Sequence, residues 1–281
     1  MRDEVANEAV PGHPHPSSLI SPPQRQLRLD VAYDGTAYAG WQVQPDEPTV
    51  QAAVEAALAR LLKRPVRVLG ASRTDSGVHA LQQICCFRAD DGPPADRFRL
   101  ALAPFLPPDV VVTRSLEVPD DFHPLRSVVR KTYRYRFHIA AVGHPLLGRF
   151  AWRVAGPVDA SAMDAAARVL EGRHDFACFE STGSPRGDTV RTIFESRMFD
   201  ETPAIPMPRA ADGGGQWLTY EVTGNGFLYN MVRSIAGTLL DVGRGRIAVD
   251  DVAAILASRD RTQASATAPA QGLTLTAIET Q

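Results

Sequence analysis

The first half of the chain alternates between two kinds of apolar periodicity, and this order constrains its fold more than any other feature. Alternating or short apolar runs predict four strands, over residues 27–33, 66–69, 83–87 and 110–112. Helical spacing predicts two helices, one from the N-cap Thr49 to Leu62 and one over residues 95–102. The resulting order, β-α-β-β-α-β, is typical of the split βαβ unit of ferredoxin-like folds.

The second half follows a related plan with longer insertions. Alternation predicts strands over residues 132–139, 190–199, 217–223 and 273–278. Helical spacing predicts helices over residues 159–170, with Asp159 as N-cap, 228–242 and 246–257. We therefore expect an α+β protein with two ferredoxin-like (RRM-like) halves, residues 27–125 and 126–281. Their mainly antiparallel sheets would join around a central basic cleft.

Composition excludes several classes of protein. The 281 residues are 44% hydrophobic and 22% charged, which suits a globular chain long enough to bury its own core. No apolar run approaches the ~20 residues of a membrane helix, and the start has no secretory signal pattern, so we expect a cytoplasmic protein with no membrane contact. Three cysteines, Cys85, Cys86 and Cys178, suggest buried apolar residues rather than disulfides or a zinc site.

Two segments fall outside this pattern of strands and helices. Residues 1–26 are rich in Pro, Ser, His and Ala and have almost no apolar periodicity, so we expect a disordered tail. Residues 203–215, rich in Pro and Gly, predict a surface loop.

A net charge of −2 conceals a long segment without acidic residues. Between Phe122 and Val158 there is no Asp or Glu, but seven cations: Arg126, Arg130, Lys131, Arg134, Arg136, Arg149 and Arg153. Such a segment is typical of a polyanion-binding surface, although a solvated charged face is the alternative. On a strand, Tyr133 and Tyr135 would share one face and the neighbouring arginines the other. Aromatic stacking on bases beside Arg contacts favours nucleic acid, while a pair of core tyrosines is the alternative.

Two further segments hold charged residues in unusual surroundings: a polar loop in which Arg73 and Asp75 lie two positions apart, and an apolar helix with one arginine. Asp75, in the polar loop from Ser72 to His79, could act as a base or nucleophile beside a cation, or could simply form an Asx-turn. Arg233 is the only charged residue between Glu221 and Asp241 and lies in an apolar helix. Such an arginine either extends to solvent or needs a buried anion, for which Asp75 is the natural candidate. A packing arginine paired with a backbone carbonyl is the alternative. Gly237, on the same face, would leave room for a close approach.

Together these segments resemble the TruA-type tRNA pseudouridine synthases from about residue 27 to the end. The matching stretches are Tyr33-Asp34-Gly35-Thr36, Gly40-Trp41-Gln42, residues 73–75 with 77–80, Asp121-Phe122-His123, residues 131–135, 225–227, 231–233 with Gly237, and 266–269 with Gly272-Leu273. The chain departs from the common pattern at Ser72, where many members have Gly, and at Ser76, where many have Ala.

The resemblance implies conversion of uridine to pseudouridine at tRNA positions 38, 39 and 40 by a homodimer, without cofactor or metal. Asp75 would be the nucleophile, Arg73 would displace or steady the flipped uridine, Tyr133 would stack on the base, and Arg233 would pair with Asp75. The sequence leaves open whether Asp75 attacks the sugar or the base first.

Three more residues are candidate contacts to the substrate: Arg130, Arg134 and His79. His79 has no second ligand at metal spacing, so it is expected to be structural or to position substrate. A non-catalytic tRNA-binding protein or chaperone on the same scaffold is the main alternative function, and a small-molecule enzyme using the cleft is a third.

Overall fold

One continuous sheet runs through both halves of the molecule. The computed structural model describes residues 24–183, 187–201 and 215–281. Its strands are β1 (Arg25–Tyr33), β2 (Leu69–Gly70), β3 (His79–Ala89), β4 (Val110–Val118), β5 (Val128–Ile139), β6 (Trp152–Val154), β7 (Gly172–Asp175), β8 (Val190–Asp200), β9 (Gln216–Gly224) and β10 (Leu273–Thr280). Its helices are α1 (Val50–Leu62), α2 (Phe98–Leu102), α3 (Ala160–Arg168), α4 (Met231–Gly243) and α5 (Asp251–Ser258).

The last strand of the chain joins the two halves. The sheet order is β4-β1-β3-β10-β5-β9-β8-β7, with β2 also on β3 and β6 also on β5. Strand β10 pairs parallel with the start of β3, at Thr274 opposite His79, and antiparallel with β5 along most of its length. All the other pairings except β5 with β6 are antiparallel. Only β10 therefore separates the start of β3, next to the loop that carries Asp75, from β5, which bears Tyr133.

Side-chain caps begin two of the helices where the sequence predicts. The Thr49 hydroxyl accepts a hydrogen bond from the Ala52 N–H at the start of α1, and the Asp159 carboxylate accepts one from Ala162 at the start of α3. Helix α4 is buried along nearly its whole length. Its apolar residues form part of the core between the helices and the sheet.

The predicted α+β class with mainly antiparallel pairing is confirmed, whereas some boundaries differ. Strand β2 is only Leu69–Gly70 and shares a single residue, Leu69, with the strand predicted over residues 66–69. Strand β3 begins four residues earlier than predicted, so that His79 lies on a strand rather than in the loop. Strand β1 includes Arg25 and Gln26, which we expected in the tail. The rest of that tail up to residue 23, and residues 203–214 of the predicted loop, lie outside the described residues.

The cysteines behave as the composition predicts. Cys85, Cys86 and Cys178 are all free and buried. None of the helices in the described ranges has the length and apolar character needed to span a bilayer.

Candidate active site

The loop between β2 and β3 is held by hydrogen bonds on its buried side. The fully buried Gln83 amide accepts from the Ser72 N–H (3.2 Å) and donates to the Ser72 carbonyl (2.7 Å). Two residues on, the Thr74 hydroxyl lies 2.7 Å from the Tyr33 hydroxyl, and the Trp41 N–H donates to the Thr74 carbonyl. These contacts bury Ser72 and Thr74, whereas Arg73 is exposed and Asp75 is partly exposed.

Two glycines shape the end of this loop. The Val78 N–H donates to the Asp75 carbonyl at 3.1 Å, which closes a turn in which Gly77 has φ +77°. Gly40, with φ +100°, packs so closely on the loop that a Cβ at this position would lie 2.5 Å from the Thr74 carbonyl oxygen. The backbone next to Asp75 is therefore fixed by both its own turn and the segment from Gly40 to Trp41.

Arg233 faces Asp75 from the other half of the molecule. Its guanidinium Nη1 lies 4.0 Å from Asp75 Oδ2, and the two side chains are 17% and 26% exposed. Its Nε donates to the Ala268 carbonyl (2.7 Å), and its Nη1 donates to Asn230 Oδ1 (2.7 Å). Both expected partners of Arg233, the carboxylate and a backbone carbonyl, are thus present.

Gly237 allows the segment that holds Arg233 to approach α4. A Cβ on Gly237 would collide with the Ala266 carbonyl oxygen. The Ala268 N–H also donates to the Arg233 carbonyl, so the segment contacts both the backbone and the side chain of Arg233. The close approach predicted at Gly237 is confirmed.

Burial dominates the electrostatics of Asp75. Desolvation raises the pKa of its carboxyl, and Arg233 opposes that shift without cancelling it. This direction is the reverse of what the cation alone would produce, because Nη1 is 4.0 Å away and already engaged by Asn230. A buried carboxylate with few hydrogen bonds is a stronger nucleophile than a solvated one, since little solvent must be displaced from it.

Tyr133 lies on the inner face of β5, with its ring edge-on to Phe227 at 5.1 Å between centroids. Its hydroxyl lies 3.2 Å from Ser72 Oγ, and burial raises the pKa of the phenol to about 12. Tyr135 shares this face, as alternation predicts, but is fully buried, and its hydroxyl donates to the Pro269 carbonyl. Of the two tyrosines, only Tyr133 lines the cavity beside Asp75.

A cavity of about 600 Å³ brings these groups together. Arg73, Asp75 and Tyr133 line it, along with Asn230 at the start of α4. Pockets of about 300–1,000 Å³ are typical of small-molecule sites, so this space can take a nucleotide that has left its stack. Arg73 is exposed and forms no ion pair with any residue in the described ranges, which leaves its guanidinium available to an anionic ligand.

The other candidate substrate contacts lie elsewhere. Arg130 and Arg134 point from the opposite face of β5, where Arg134 pairs with Glu221 (2.6 Å) and Glu201 (3.4 Å). Arg130 stacks over the Phe194 ring and lies 3.9 Å from Glu279.

The imidazole of His79 is buried away from the cavity. It accepts from the Gly35 N–H and lies 3.0 Å from the Arg149 carbonyl oxygen. Burial lowers its pKa. Of the two roles expected for His79, these contacts favour the structural one over the positioning of substrate.

The cation-rich stretch is partly neutralised by acids that lie far away in the sequence. Arg134 and Arg136 share Glu201, and Arg149 pairs with Asp34 at 3.2 Å. The predicted central basic cleft therefore stays a prediction. The described residues also contain no cluster of three or more His, Cys, Asp or Glu that could hold a metal ion.

Comparison with known proteins identifies the family. A sequence profile described as tRNA pseudouridine synthase matches residues 31–124 and 166–280. The chain belongs to the tRNA pseudouridine synthase family. Pseudouridine is an isomer of uridine, so the members of this family are isomerases, and the resemblance drawn from the motifs is confirmed.

Individual relatives match nearly the whole chain. The tRNA pseudouridine synthase A of Geobacter sp. (strain M21) is 42% identical over 252 residues, which cover 89% of this chain and 97% of the relative. Proteins of the same name from Ruminiclostridium cellulolyticum and Thermoanaerobacter sp. (strain X514) are 40% and 39% identical over 254 residues, covering 90% of this chain and 99% of each relative.

Three residues that line the cavity were not predicted as site residues: Ser72, Lys131 and Asn230. Lys131 donates from Nζ to the Ala71 carbonyl and to Ser72 Oγ. Lys131 directly precedes the strand predicted over residues 132–139, and its spacing of two from Tyr133 would place both side chains on one face if that strand is extended, as it is in β5. Asn230 has a left-handed backbone, φ 58°, just before α4, and only its residue type, which tolerates that conformation, hinted at such a position.

Proposed function

We propose that this chain converts uridine to pseudouridine in the anticodon stem-loop of tRNA, at positions 38, 39 and 40, with Asp75 as the nucleophile. The observation that carries the proposal is the convergence of Asp75 and Tyr133, from separate parts of the sequence, on one cavity, with Arg233 4.0 Å behind the Asp75 carboxylate. The family assignment supports the reaction, and the resemblance of the motifs supports the three positions.

The reaction needs the target base out of its stack. Flipping costs a few kcal/mol, which contacts inside the cavity must offset. Tyr133 and Phe227 supply aromatic surface for the uracil, and Arg73 supplies a free cation at the same cavity for the displaced backbone. The cavity then holds the base after its glycosidic bond breaks.

The isomerisation conserves all atoms of the nucleotide. The bond from N1 to the ribose breaks, the uracil turns, and C5 forms the new bond to the same ribose carbon. The hydrogen on C5 leaves as a proton, and N1 gains one. Asp75 forms a transient covalent bond that splits this exchange into two steps, and Arg233 stabilises the carboxylate when it is released.

The family resemblance also underlies the fold of the two halves and the oligomeric state that we propose. The order β4-β1-β3 with β2 on β3 is consistent with a ferredoxin-like first half, and we propose the same plan for the second half. We propose a homodimer whose tRNA site uses both subunits, and a tRNA substrate supports a cytoplasmic location. Because Arg134 is held by two acids, Arg130 is the better candidate for an RNA contact outside the cavity.

A tritium-release assay tests this function. Unmodified tRNA carrying tritium on uridine C5 is incubated with the protein, and pseudouridine is mapped along the product. We expect modification at positions 38–40 and none by Asp75→Ala, which should still bind tRNA. Undiminished product from Asp75→Ala would overturn the catalytic assignment. Binding without product by the intact chain would instead indicate a non-catalytic tRNA-binding protein.

A further inference from the structure

Three polar side chains form a hydrogen-bond network along the cavity wall beside Asp75. Lys131 Nζ lies 3.1 Å from Ser72 Oγ, and Ser72 Oγ lies 3.2 Å from the Tyr133 hydroxyl oxygen. All three residues line the cavity, and Ser72 and Tyr133 are 4% and 6% exposed. This hydrogen-bond network connects the positive charge of Lys131 to the phenol of Tyr133, which lines the cavity.

The hydrogen-bonding capacity of each group favours one direction of donation along this network. An ammonium group only donates, so Ser72 Oγ accepts from Lys131. The contact between Ser72 and Tyr133 can run in either direction, but the nearby cation polarises the Ser72 hydroxyl and favours it as the donor. In that direction the Tyr133 oxygen accepts from Ser72, and its own hydrogen points away from Ser72.

The position of Ser72 is rigid enough to impose this direction. Gln83 holds both its N–H and its carbonyl, and Lys131 also donates to the neighbouring Ala71 carbonyl at 3.0 Å. The hydroxyl therefore cannot move away without breaking buried hydrogen bonds, each of which is costly to leave unmade.

We propose that Ser72 is a positioning residue that turns the Tyr133 O–H into the cavity, where it donates to a carbonyl oxygen of the flipped uracil. The inference rests on the proposed function and deepens it, because it assigns Tyr133 a polar contact to the base in addition to stacking. Burial and the nearby Asp75 raise the pKa of Tyr133 to about 12, so the phenol keeps its hydrogen at neutral pH and can act as this donor.

A double-mutant cycle between Ser72→Ala and Tyr133→Phe tests the coupling. Turnover of tritiated tRNA is measured for the parent, both single variants and the double variant. Loss of one hydrogen bond predicts a kcat lower by roughly fivefold for Ser72→Ala, with KM changed less than about twofold. In the Tyr133→Phe background, which has no hydroxyl to orient, the same change should cost less than about twofold.

Thr74→Val is the matched control, because it removes another buried hydroxyl of the same loop whose partner is Tyr33 rather than Tyr133. Its effect on kcat should be the same in both backgrounds. Melting temperatures show which variants fold, and Ser72→Gly replaces Ser72→Ala in the cycle if the alanine variant does not.

The outcomes separate this inference from the proposed function. Equal effects of the Ser72 change with and without the Tyr133 hydroxyl, or no effect at all, overturn the positioning role while pseudouridine formation stands. A parent protein that makes no pseudouridine overturns both. A loss of kcat from Ser72→Ala that occurs only when Tyr133 is intact supports the inference.

Discussion

The Arg233 guanidinium lies 4.0 Å from the Asp75 carboxylate, too far for a hydrogen bond, because neighbouring groups hold it in place. Asn230 and the Ala268 carbonyl take its Nη1 and Nε hydrogens. A bidentate pair would lock the carboxylate and reduce its nucleophilicity. The observed spacing keeps the cation close enough to stabilise Asp75 yet leaves both carboxylate oxygens without a hydrogen-bonded cation.

Asp75→Asn should remove activity and increase stability. Burial raises the pKa of Asp75, so the folded protein binds this proton more tightly than the unfolded chain. The free energy of unfolding therefore falls as pH rises from the ordinary value of 3.8 through the higher folded value, and stays lower at neutral pH. Melting curves at pH 7 should show Asp75→Asn above the parent, with the gap closing in acid below the ordinary pKa. A variant less stable than the parent at pH 7 would contradict the upward shift.

Asn230→Asp should redirect Arg233. The new carboxylate is isosteric and tolerates the left-handed backbone, φ 58°, but binds the guanidinium as a charged partner. We expect kcat/KM for tRNA to fall roughly tenfold, in line with the loss of a charge-assisted contact. Asn230→Gly is the matched control, since it keeps the backbone conformation and removes only the side-chain hydrogen bonds to Arg233 and Ser181. If both variants lose activity equally, competition for Arg233 is not the cause.

Gly237→Ala should damage stability and activity together. Its Cβ would meet the Ala266 carbonyl oxygen and push away the segment that holds Arg233 through Ala268. Overpacking of this kind costs about 1–3 kcal/mol, which denaturant unfolding can measure. Gly148→Ala is the control, because no atom lies within 4 Å of a Cβ there and no positive φ constrains it. A fully stable Gly237→Ala would show that the 266–268 segment can shift freely.

Local signals in the sequence predict the parts of this site that depend on near neighbours. Thr49 and Asp159 cap their helices as residue type predicts. Arg233 could be matched with Asp75 because Arg233 is the only charged residue between Glu221 and Asp241 and requires a partner from outside its own helix. Ser72, Lys131 and Asn230 were not predicted as site residues because their roles come from contacts that tertiary packing creates, such as that of Lys131 with Ser72 across 59 residues of sequence.

Contacts between distant segments also decide whether the cations of residues 122–158 are free. Between residues 122 and 158 the sequence contains only cations, which predicts a free basic surface. The pairing of β5 with β9 brings Glu221 opposite Arg134, and Glu201 reaches both Arg134 and Arg136. Net charge along a segment cannot reveal partners that arrive on a neighbouring strand.

Arg73 and Arg134, which were both expected to contact the substrate, should therefore respond differently to mutation. Arg73 is exposed at the cavity and unpaired within the described ranges, so Arg73→Ala should weaken tRNA binding and reduce the slope of log K against log salt by about 1, as for one lost phosphate contact. Arg134→Ala removes a half-buried guanidinium held by Glu221 and Glu201, so it should lower the free energy of unfolding and leave the salt slope unchanged. Filter-binding titrations across salt concentrations, beside denaturant unfolding, measure both quantities. A reduced slope for Arg134→Ala would mean that RNA displaces its acidic partners, and an unchanged slope for Arg73→Ala would remove it from the tRNA contact.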